Sequence, residues 1–130
     1  MTIYICLDDR NGLRFNKRRQ SRDAAVLEDI RSRLTGDLLI EPYSEKLIRE
    51  AEIPCQLYPE GSATDFFAED VPSEDILAQT ERIVIYRWNR HYPADVHWNP
   101  DLANLGFSLT ETTEFPGTSH EKITREVYER

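Results

Sequence analysis

The sequence has 130 residues, of which 39% are hydrophobic and 31% charged, a balance typical of one folded domain rather than a disordered chain. The formal net charge of −8 argues against nucleic acid or an anionic membrane as a general partner. No apolar run is long enough for a signal peptide or a bilayer span, and Cys6 and Cys55 lack metal or redox spacing. We therefore expect a single cytoplasmic domain over residues 1–130 with reduced thiols.

The charge is unevenly distributed along the chain. Residues 1–35 hold eight Lys or Arg and five Asp or Glu, a balance of +3, whereas residues 36–81 hold two and twelve, a balance of −10. An anionic partner is therefore expected to contact the N-terminal third. The basic residues there lie in a predicted polar loop over residues 13–22. The candidates for anion binding are Arg14, Lys17, Arg18, Arg19 and Arg22, although a solvated loop is the simpler interpretation.

Alternation and turn residues predict the elements in chain order. We expect a strand over 2–7, a turn at Asp8–Gly12, the polar loop, a helix over 22–34 capped by Ser21, and a strand over 38–40. A second helix beginning near Ser44 follows, then strands over 55–58 and 65–68 and a short helix over 73–79. After the strand over 83–88, Phe107 and Leu109 begin a half-exposed strand that pairs with a last strand over 123–128.

The strand over 83–88 is the most apolar stretch of the chain. Ile83 and Ile85 point to one face and Val84, Tyr86 and Trp88 to the other, so both faces are expected to be covered. The order of elements predicts an α/β fold with a mixed, mostly parallel sheet flanked by helices and an antiparallel C-terminal hairpin.

Several segments, in this order, resemble dihydrofolate reductases over nearly the whole chain. Ile3–Gly12 resembles that family's first strand and Asn-Gly turn, and Ser21–Asp23 the opening of its long helix. Tyr92–Pro100 resembles its Glu-Gly-Asp-Thr-x-Phe-Pro segment, and Glu121–Arg130 resembles its last strand. The resemblance implies the fold of that family and a cleft near Asp23.

The motifs by which that family binds its dinucleotide are missing. Glu41-Pro-Tyr-Ser44 replaces Gly-Arg-x-Thr, and Glu69-Asp70 replaces the Gly-Gly pair that admits the pyrophosphate. A carboxylate about 4 Å from a phosphate charge costs roughly 4 kcal/mol at an effective dielectric near 20. We therefore predict no nicotinamide cofactor. The resemblance leaves Asp23, Leu27 and Tyr86 as the ligand-facing residues. Asp23 is the candidate catalytic carboxylate or, more simply, a first-turn carboxylate favoured by the helix dipole.

The chain also resembles short bacterial proteins described as ribonuclease Z. The similar segments are Asp-Asp-Arg-Asn-Gly at residues 8–12, Asn-Lys-Arg-Arg-Gln-Ser-Arg-Asp at 16–23 and Ser-His-Glu-Lys-Ile-Thr at 119–124. That name implies a zinc-dependent nuclease acting on RNA, whose His-x-His-x-Asp-His motif is missing, since the chain has only His91, His97 and His120. We expect no metal.

Four other patterns have both a functional and a structural interpretation. Asp95 and His97 could form an acid–base dyad, and His91 and His97 could share a metal. Trp88, Tyr92 and Trp98 could line a pocket or simply pack in the core. Ser119-His120-Glu121 has the residue types of a catalytic triad, but adjacent residues rarely converge, so we do not predict one.

The leading hypothesis is a non-catalytic binding or regulatory protein with a dihydrofolate reductase-like fold, that is, a pseudoenzyme. Its ligand would be small and anionic or pterin-like, or its partner would be a protein. The alternatives are a divergent reductase acting on a pterin-like substrate and a nuclease acting on RNA. The fold alone cannot choose among them.

Overall fold

The computed structural model describes all residues from Met1 to Arg130. Ten strands are present: β1 (Thr2–Leu7), β2 (Gly12–Phe15), β3 (Arg18–Arg19), β4 (Leu38–Ile40), β5 (Cys55–Leu57), β6 (Asp65–Ala68), β7 (Arg82–Arg87), β8 (Val96–His97), β9 (Ser108–Phe115) and β10 (Ile123–Glu129). The helices are α1 (Ala24–Arg33), α2 (Glu45–Glu50) and α3 (Glu74–Ala78), and a 3₁₀ turn covers Pro42–Ser44. No helix combines the length and apolarity needed to cross a bilayer.

Seven strands form the main sheet in the order β5-β4-β6-β1-β7-β10-β9. The first five are parallel to one another, and β10 is antiparallel to both β7 and β9. The remaining strands form a small antiparallel sheet in the order β3-β2-β8. The predicted mixed, mostly parallel sheet with an antiparallel C-terminal hairpin is confirmed.

Strand β7 is buried on both faces, as its apolar run predicts. Ile83, Val84, Ile85 and Tyr86 are each at most 2% exposed. Val84 and Tyr86 pack on the face covered by α1 and α2, and Ile83 and Ile85 pack on the face covered by α3 and the segment before β9. The β-branched residues suit such a doubly covered strand because their stiff side chains pack well on a pleated surface.

The predicted polar loop over residues 13–22 is wrong, because its first part forms a hairpin of β2 and β3. Asn16 and Lys17 make the tip, with φ angles of 51° and 62°. Two consecutive positive φ values match the turn that joins tightly paired strands. The alternation of Leu13 and Phe15 with polar neighbours already indicates a strand, but the run of basic residues favours a loop.

Three smaller sequence predictions also need correction. Helix α1 begins at Ala24 and is capped by Asp23 rather than by Ser21, since the Asp23 carboxylate accepts a hydrogen bond from the Ala25 N–H. Ser44 makes no cap for α2; its hydroxyl donates to Glu69 instead. Leu109, expected on the covered face of its strand, is 52% exposed because β9 is an edge strand that extends past the helices.

Candidate functional site

A cleft opens at the carboxyl ends of β1, β6 and β7, between α1 and the β2–β3 hairpin. This edge of a parallel sheet is where α/β proteins commonly bind ligands. Its apolar walls come from Cys6, Leu13, Val26, Leu27, Leu47, Phe67, Ala68 and Trp88. Its polar lining consists of Arg19, Gln20, Ser21, Arg22, Asp23 and Glu69.

The cleft has a narrow inner end and a wide outer groove. The inner end has a volume of about 20 Å³, which is room for roughly one water molecule. The outer groove has a volume of about 400 Å³ and continues past the N-terminal half of α1 toward α2. Arg22, Asp23, Leu27 and Leu47 border both parts. A ligand body therefore fits the groove, and only a small group fits the inner end unless the hairpin moves.

Asp23 is fully buried and saturated with hydrogen bonds. Its oxygens accept from the backbone N–H groups of Ala25, Thr118, Ser119 and His120 and lie 2.9 Å from the His120 Nδ1. Burial alone would raise the pKa of this carboxyl, but the hydrogen bonds from Thr118, His120, Ser119 and Ala25 outweigh it and hold the pKa at about 2. Asp23 is thus an ionised carboxylate that fixes the β9–β10 loop.

His120 connects Asp23 to two hydroxyl groups. Its Nε2 lies 3.1 Å from Ser21 Oγ and 2.9 Å from the Tyr92 hydroxyl oxygen. Its ring is stacked on Trp88, with the centroids 4.5 Å apart and the planes 19° apart. Because ionised Asp23 only accepts hydrogen bonds, Nδ1 carries a proton, and Nε2 of the neutral ring is left as an acceptor.

Gly117 makes this arrangement of the β9–β10 loop possible. A Cβ at this position would lie 2.6 Å from Asp23 Oδ2 and 2.6 Å from the His120 backbone oxygen. Neither atom can retreat, since the carboxylate is fixed by five N–H donors and the other atom is backbone. Any side chain at Gly117 would push the loop away from Asp23.

The hairpin is held over the cleft by two ion pairs to the end of β6. Arg19 binds Glu69 through both Nε and a terminal nitrogen, at 2.7 and 2.9 Å, and Arg14 binds Asp70 at 3.0 Å. Both guanidinium groups also lie over the ring of Tyr43, with distances of 4.6 and 4.8 Å to its centroid. Arg14 and Arg19 are therefore engaged within the protein, contrary to the prediction that they are available for an external anion.

The corner beside these pairs remains acidic. Glu41, Glu69 and Asp70 face Arg14 and Arg19, which leaves three carboxylates against two guanidinium groups. Burial and then the charge of Asp70 raise the pKa of Glu41, with Arg14 opposing them. Such a corner repels an added negative charge.

A second buried aspartate, Asp8, anchors the base of the hairpin. It accepts from the N–H groups of Arg10 and Gly12 and from the side-chain amide of Gln20, at 2.8, 2.6 and 2.9 Å. The Gln20 side-chain oxygen is buried with no hydrogen-bond partner, although Gln20 lines the inner cleft. A ligand N–H or O–H would satisfy this acceptor.

Leu27 and Arg22 border the cleft as expected, but Tyr86 does not. The Tyr86 ring is fully buried beneath α1, and its hydroxyl donates to Asp29 at 2.6 Å. Burial, followed by this contact with Asp29, raises the pKa of Tyr86. Lys17, Arg18 and Arg22 are exposed and form no ion pair, so they are the free cations of the predicted anion-binding group.

The other sequence candidates lie outside the cleft. Asp95 accepts from the Asn16 N–H, and no hydrogen bond joins it to His97. No group of three or more His, Cys, Asp or Glu side chains is placed to hold a metal. Trp98 is buried in the core on the opposite face of the sheet, whereas Trp88 lines the cleft. The sequence does not connect His120 with the cleft residues Ser21 and Asp23, because these partners lie about a hundred positions away in the chain.

Comparison with known proteins identifies the fold. Neither the family models nor the curated proteins include a match to this chain. Among solved structures, the chain is similar to a dihydrofolate reductase from Enterococcus faecalis in complex with NADP(H) and RAB-propyl, with a TM-score of 0.66 and 6% sequence identity. The match covers 99% of this chain and 95% of that one.

The sheet topology and the cleft are those of an α/β protein whose mostly parallel sheet is covered on both faces. More particularly, the chain has a dihydrofolate reductase-like fold over essentially its whole length. The resemblance predicted from short segments is thereby confirmed at the level of the fold.

Proposed function

We propose that this protein binds a small ligand in the cleft beside Leu27 and Trp88 and does not bind a nicotinamide dinucleotide in the manner of dihydrofolate reductases. The observation that carries this proposal is the pairing of Arg14 with Asp70 and of Arg19 with Glu69. Both pairs use the Glu69-Asp70 segment that replaces the Gly-Gly motif. Tyr43 and Ser44, from the segment that replaces the phosphate-binding motif, contact the same side chains. The pseudoenzyme hypothesis, in the sense of a lost reductase activity, and the absence of a dinucleotide belong to this proposal.

The corner formed by Glu41, Glu69 and Asp70 opposes a phosphate by charge and by desolvation. Freeing Arg14 or Arg19 for a phosphate would leave Asp70 or the largely buried Glu69 without its partner. Removing one member of a buried pair is costly because the other charge stays uncompensated. A dinucleotide phosphate could therefore bind one of these arginines only by breaking its ion pair, and the carboxylate left behind would repel the phosphate.

The lining of the cleft indicates the chemistry of the ligand. Trp88, Phe67 and Leu27 favour a flat or apolar body, and the unpartnered Gln20 oxygen favours an N–H or O–H donor at the inner end. Arg22 is the cation at the mouth that is free to meet a single negative charge. A pterin-like heterocycle with a short anionic substituent has these features. The solved neighbour, crystallised with NADP(H) and RAB-propyl, is consistent with a small-ligand cleft in this fold.

The Trp98→Phe variant provides a direct binding assay because Trp88 then becomes the only tryptophan, and it lines the cleft. We expect pterin-6-carboxylate to quench its fluorescence with a Kd below about 1 mM, a binding free energy of about −4 kcal/mol or better. Gln20→Leu and Arg22→Gln, each made in this background, should weaken binding about tenfold or more, whereas the exposed Arg90→Gln control should not.

Absence of saturable quenching by pterin-6-carboxylate and by its neutral parent pterin would contradict a pterin-like ligand. If the Arg22→Gln variant bound pterin-6-carboxylate as tightly as its Trp98→Phe parent, Arg22 would not be the contact for the negative charge. A divergent reductase is the competing enzyme hypothesis, and it requires the Trp98→Phe variant to bind NADPH. A nuclease is the other, and it predicts RNA cleavage that is lost in an Asp95→Asn, His97→Gln double variant.

A further inference from the structure

We propose that Ser21, His120 and Asp23 form a nucleophilic relay in which the Ser21 hydroxyl attacks a carboxylic ester bound in the cleft. This activity goes beyond ligand binding, although it uses the cleft proposed above as the ligand site. The geometry that carries it is the chain of contacts from Asp23 Oδ2 to His120 Nδ1, 2.9 Å, and from His120 Nε2 to Ser21 Oγ, 3.1 Å.

The three residues meet the requirements of such a relay one by one. Ser21 lines the inner cleft, so its hydroxyl is within reach of a bound molecule. The His120 ring is held in place by stacking on Trp88 and by its contact with Asp23. Asp23 is a positioning residue, because its oxygens are taken up by N–H groups of the protein and it fixes the His120 tautomer that leaves Nε2 as the base.

His120 has more hydrogen-bond partners than a buried histidine with a purely structural role would need. One hydroxyl saturates the single acceptor site of Nε2, yet both Ser21 and Tyr92 lie within hydrogen-bond distance of it. Only one of them can donate to Nε2 at a time, so Tyr92 competes with Ser21 for this acceptor.

The proposed reaction is ordinary acyl transfer to water. Ser21 Oγ forms a bond to the ester carbonyl carbon while its proton passes to His120 Nε2. The carbon–oxygen bond to the alcohol then breaks, and the alcohol takes the proton from His120 as it leaves. Water next attacks the acyl–Ser21 carbonyl carbon while one of its protons passes to His120 Nε2. The bond between Ser21 Oγ and the acyl carbon then breaks, Ser21 Oγ takes the proton back from His120, and the carboxylic acid leaves. The sum is ester plus water giving acid plus alcohol.

The size of the cleft restricts the substrate. The inner end has room for little more than one water-sized group, so the acyl part at Ser21 must be small, and the larger alcohol part must lie in the outer groove. We therefore expect acetate or similarly short esters rather than long acyl chains.

An ethyl fluorophosphonate tests the relay without a known substrate, because it reacts with activated serines by losing fluoride. Incubation of the full-length protein followed by peptide mapping should find the phosphonyl group on Ser21. The Ser108→Ala variant is the matched control, since Ser108 is exposed in β9 and lies outside both the cleft and the relay, and it should be labelled as fast as the wild type. His120→Gln should react at least about 100-fold more slowly, the usual scale of general-base assistance.

Two further measurements keep the test decisive if His120→Gln folds poorly. Tyr92→Phe removes the competing hydroxyl and should label Ser21 faster than the wild type. Nitrogen-15 NMR of the imidazole should show the proton on Nδ1 in the wild type and a changed tautomer ratio in Asp23→Asn. Labelling of Ser21 no faster than that of the exposed Ser108, or a neutral ring with its proton on Nε2, would overturn the relay. Either failure leaves the pterin titration, which does not depend on Ser21 reactivity, to decide on ligand binding.

Discussion

Asp23 is the residue whose charge state has the widest structural consequence. It caps α1 through Ala25 and at the same time fixes residues 118–120 of the β9–β10 loop, so one carboxylate joins two segments distant in sequence. The simpler prediction, a first-turn carboxylate favoured by the helix dipole, needs correction, because Asp23 precedes the first turn of α1 and is its N-cap. Its contacts to the loop depend on Gly117 and could not be inferred from the N-terminal sequence alone.

The low pKa of Asp23 predicts an acid-sensitive fold. Because its pKa falls from 3.8 to about 2 on folding, the carboxylate stabilises the native state above about pH 4, and this contribution is lost as the pH falls toward 2. The difference corresponds to about 2 kcal/mol of unfolding free energy. Urea unfolding at pH 6 and pH 2.5 should show that Asp23→Asn is less stable than the wild type at pH 6 and loses about 2 kcal/mol less on acidification.

Asp9→Asn is the matched control for this experiment, since Asp9 is exposed and close in sequence to the other buried aspartate. It should show the same acid dependence as the wild type. If Asp23→Asn and the wild type lost the same free energy between the two pH values, the ionised, hydrogen-bonded state of Asp23 would be refuted.

The β2–β3 hairpin is the element that covers one side of the cleft. Two arginines of the hairpin reach the end of β6, and the bidentate contact of Arg19 with Glu69 is also supported by the Ser44 hydroxyl. The arginine cluster therefore acts as an internal clamp and leaves Lys17 and Arg18 at the tip to contact solvent. The sequence shows the basic residues and the acidic band, but the pairing between them arises only when the hairpin folds across the sheet edge.

Loss of the Glu69 charge should loosen this clamp. Glu69→Gln keeps the size of the side chain but removes the charge that Arg19 faces, and the side chain of Glu69 is only 11% exposed. We expect a loss of about 1–2 kcal/mol in unfolding free energy, between the values typical of exposed and fully buried pairs. Urea unfolding measures the change directly.

Glu50→Gln serves as the control because the Lys46–Glu50 pair spans 4.0 Å and both side chains are largely exposed. Its effect should stay within about 0.5 kcal/mol. A Glu69→Gln variant as stable as Glu50→Gln would mean that the hairpin is not held by the Arg19 pair. Amide hydrogen exchange in residues 12–19 would then be unchanged as well.

At the scale of the whole molecule, the pattern of apolar residues predicts the fold better than it predicts the site. The doubly buried β7 and the alternating β10 specify the sheet, and the fold is shared with a dihydrofolate reductase at only 6% identity. Many sequences can fill such a core as long as volume and pattern are kept. The site depends instead on contacts such as Ser21 to His120, for which neither spacing nor periodicity carries a signal.

The distribution of charge across the molecule leads to the central claim of the proposed function, that the paired and surplus carboxylates Glu41, Glu69 and Asp70 exclude a nicotinamide dinucleotide from this edge of the sheet. Isothermal titration calorimetry of the wild type with NADPH, at about 0.15 M salt, tests it most directly. We predict a Kd weaker than about 1 mM, corresponding to a binding free energy less favourable than about −4 kcal/mol. A Kd in the micromolar range, abolished by changing Ser44 and Asp70, would contradict the account.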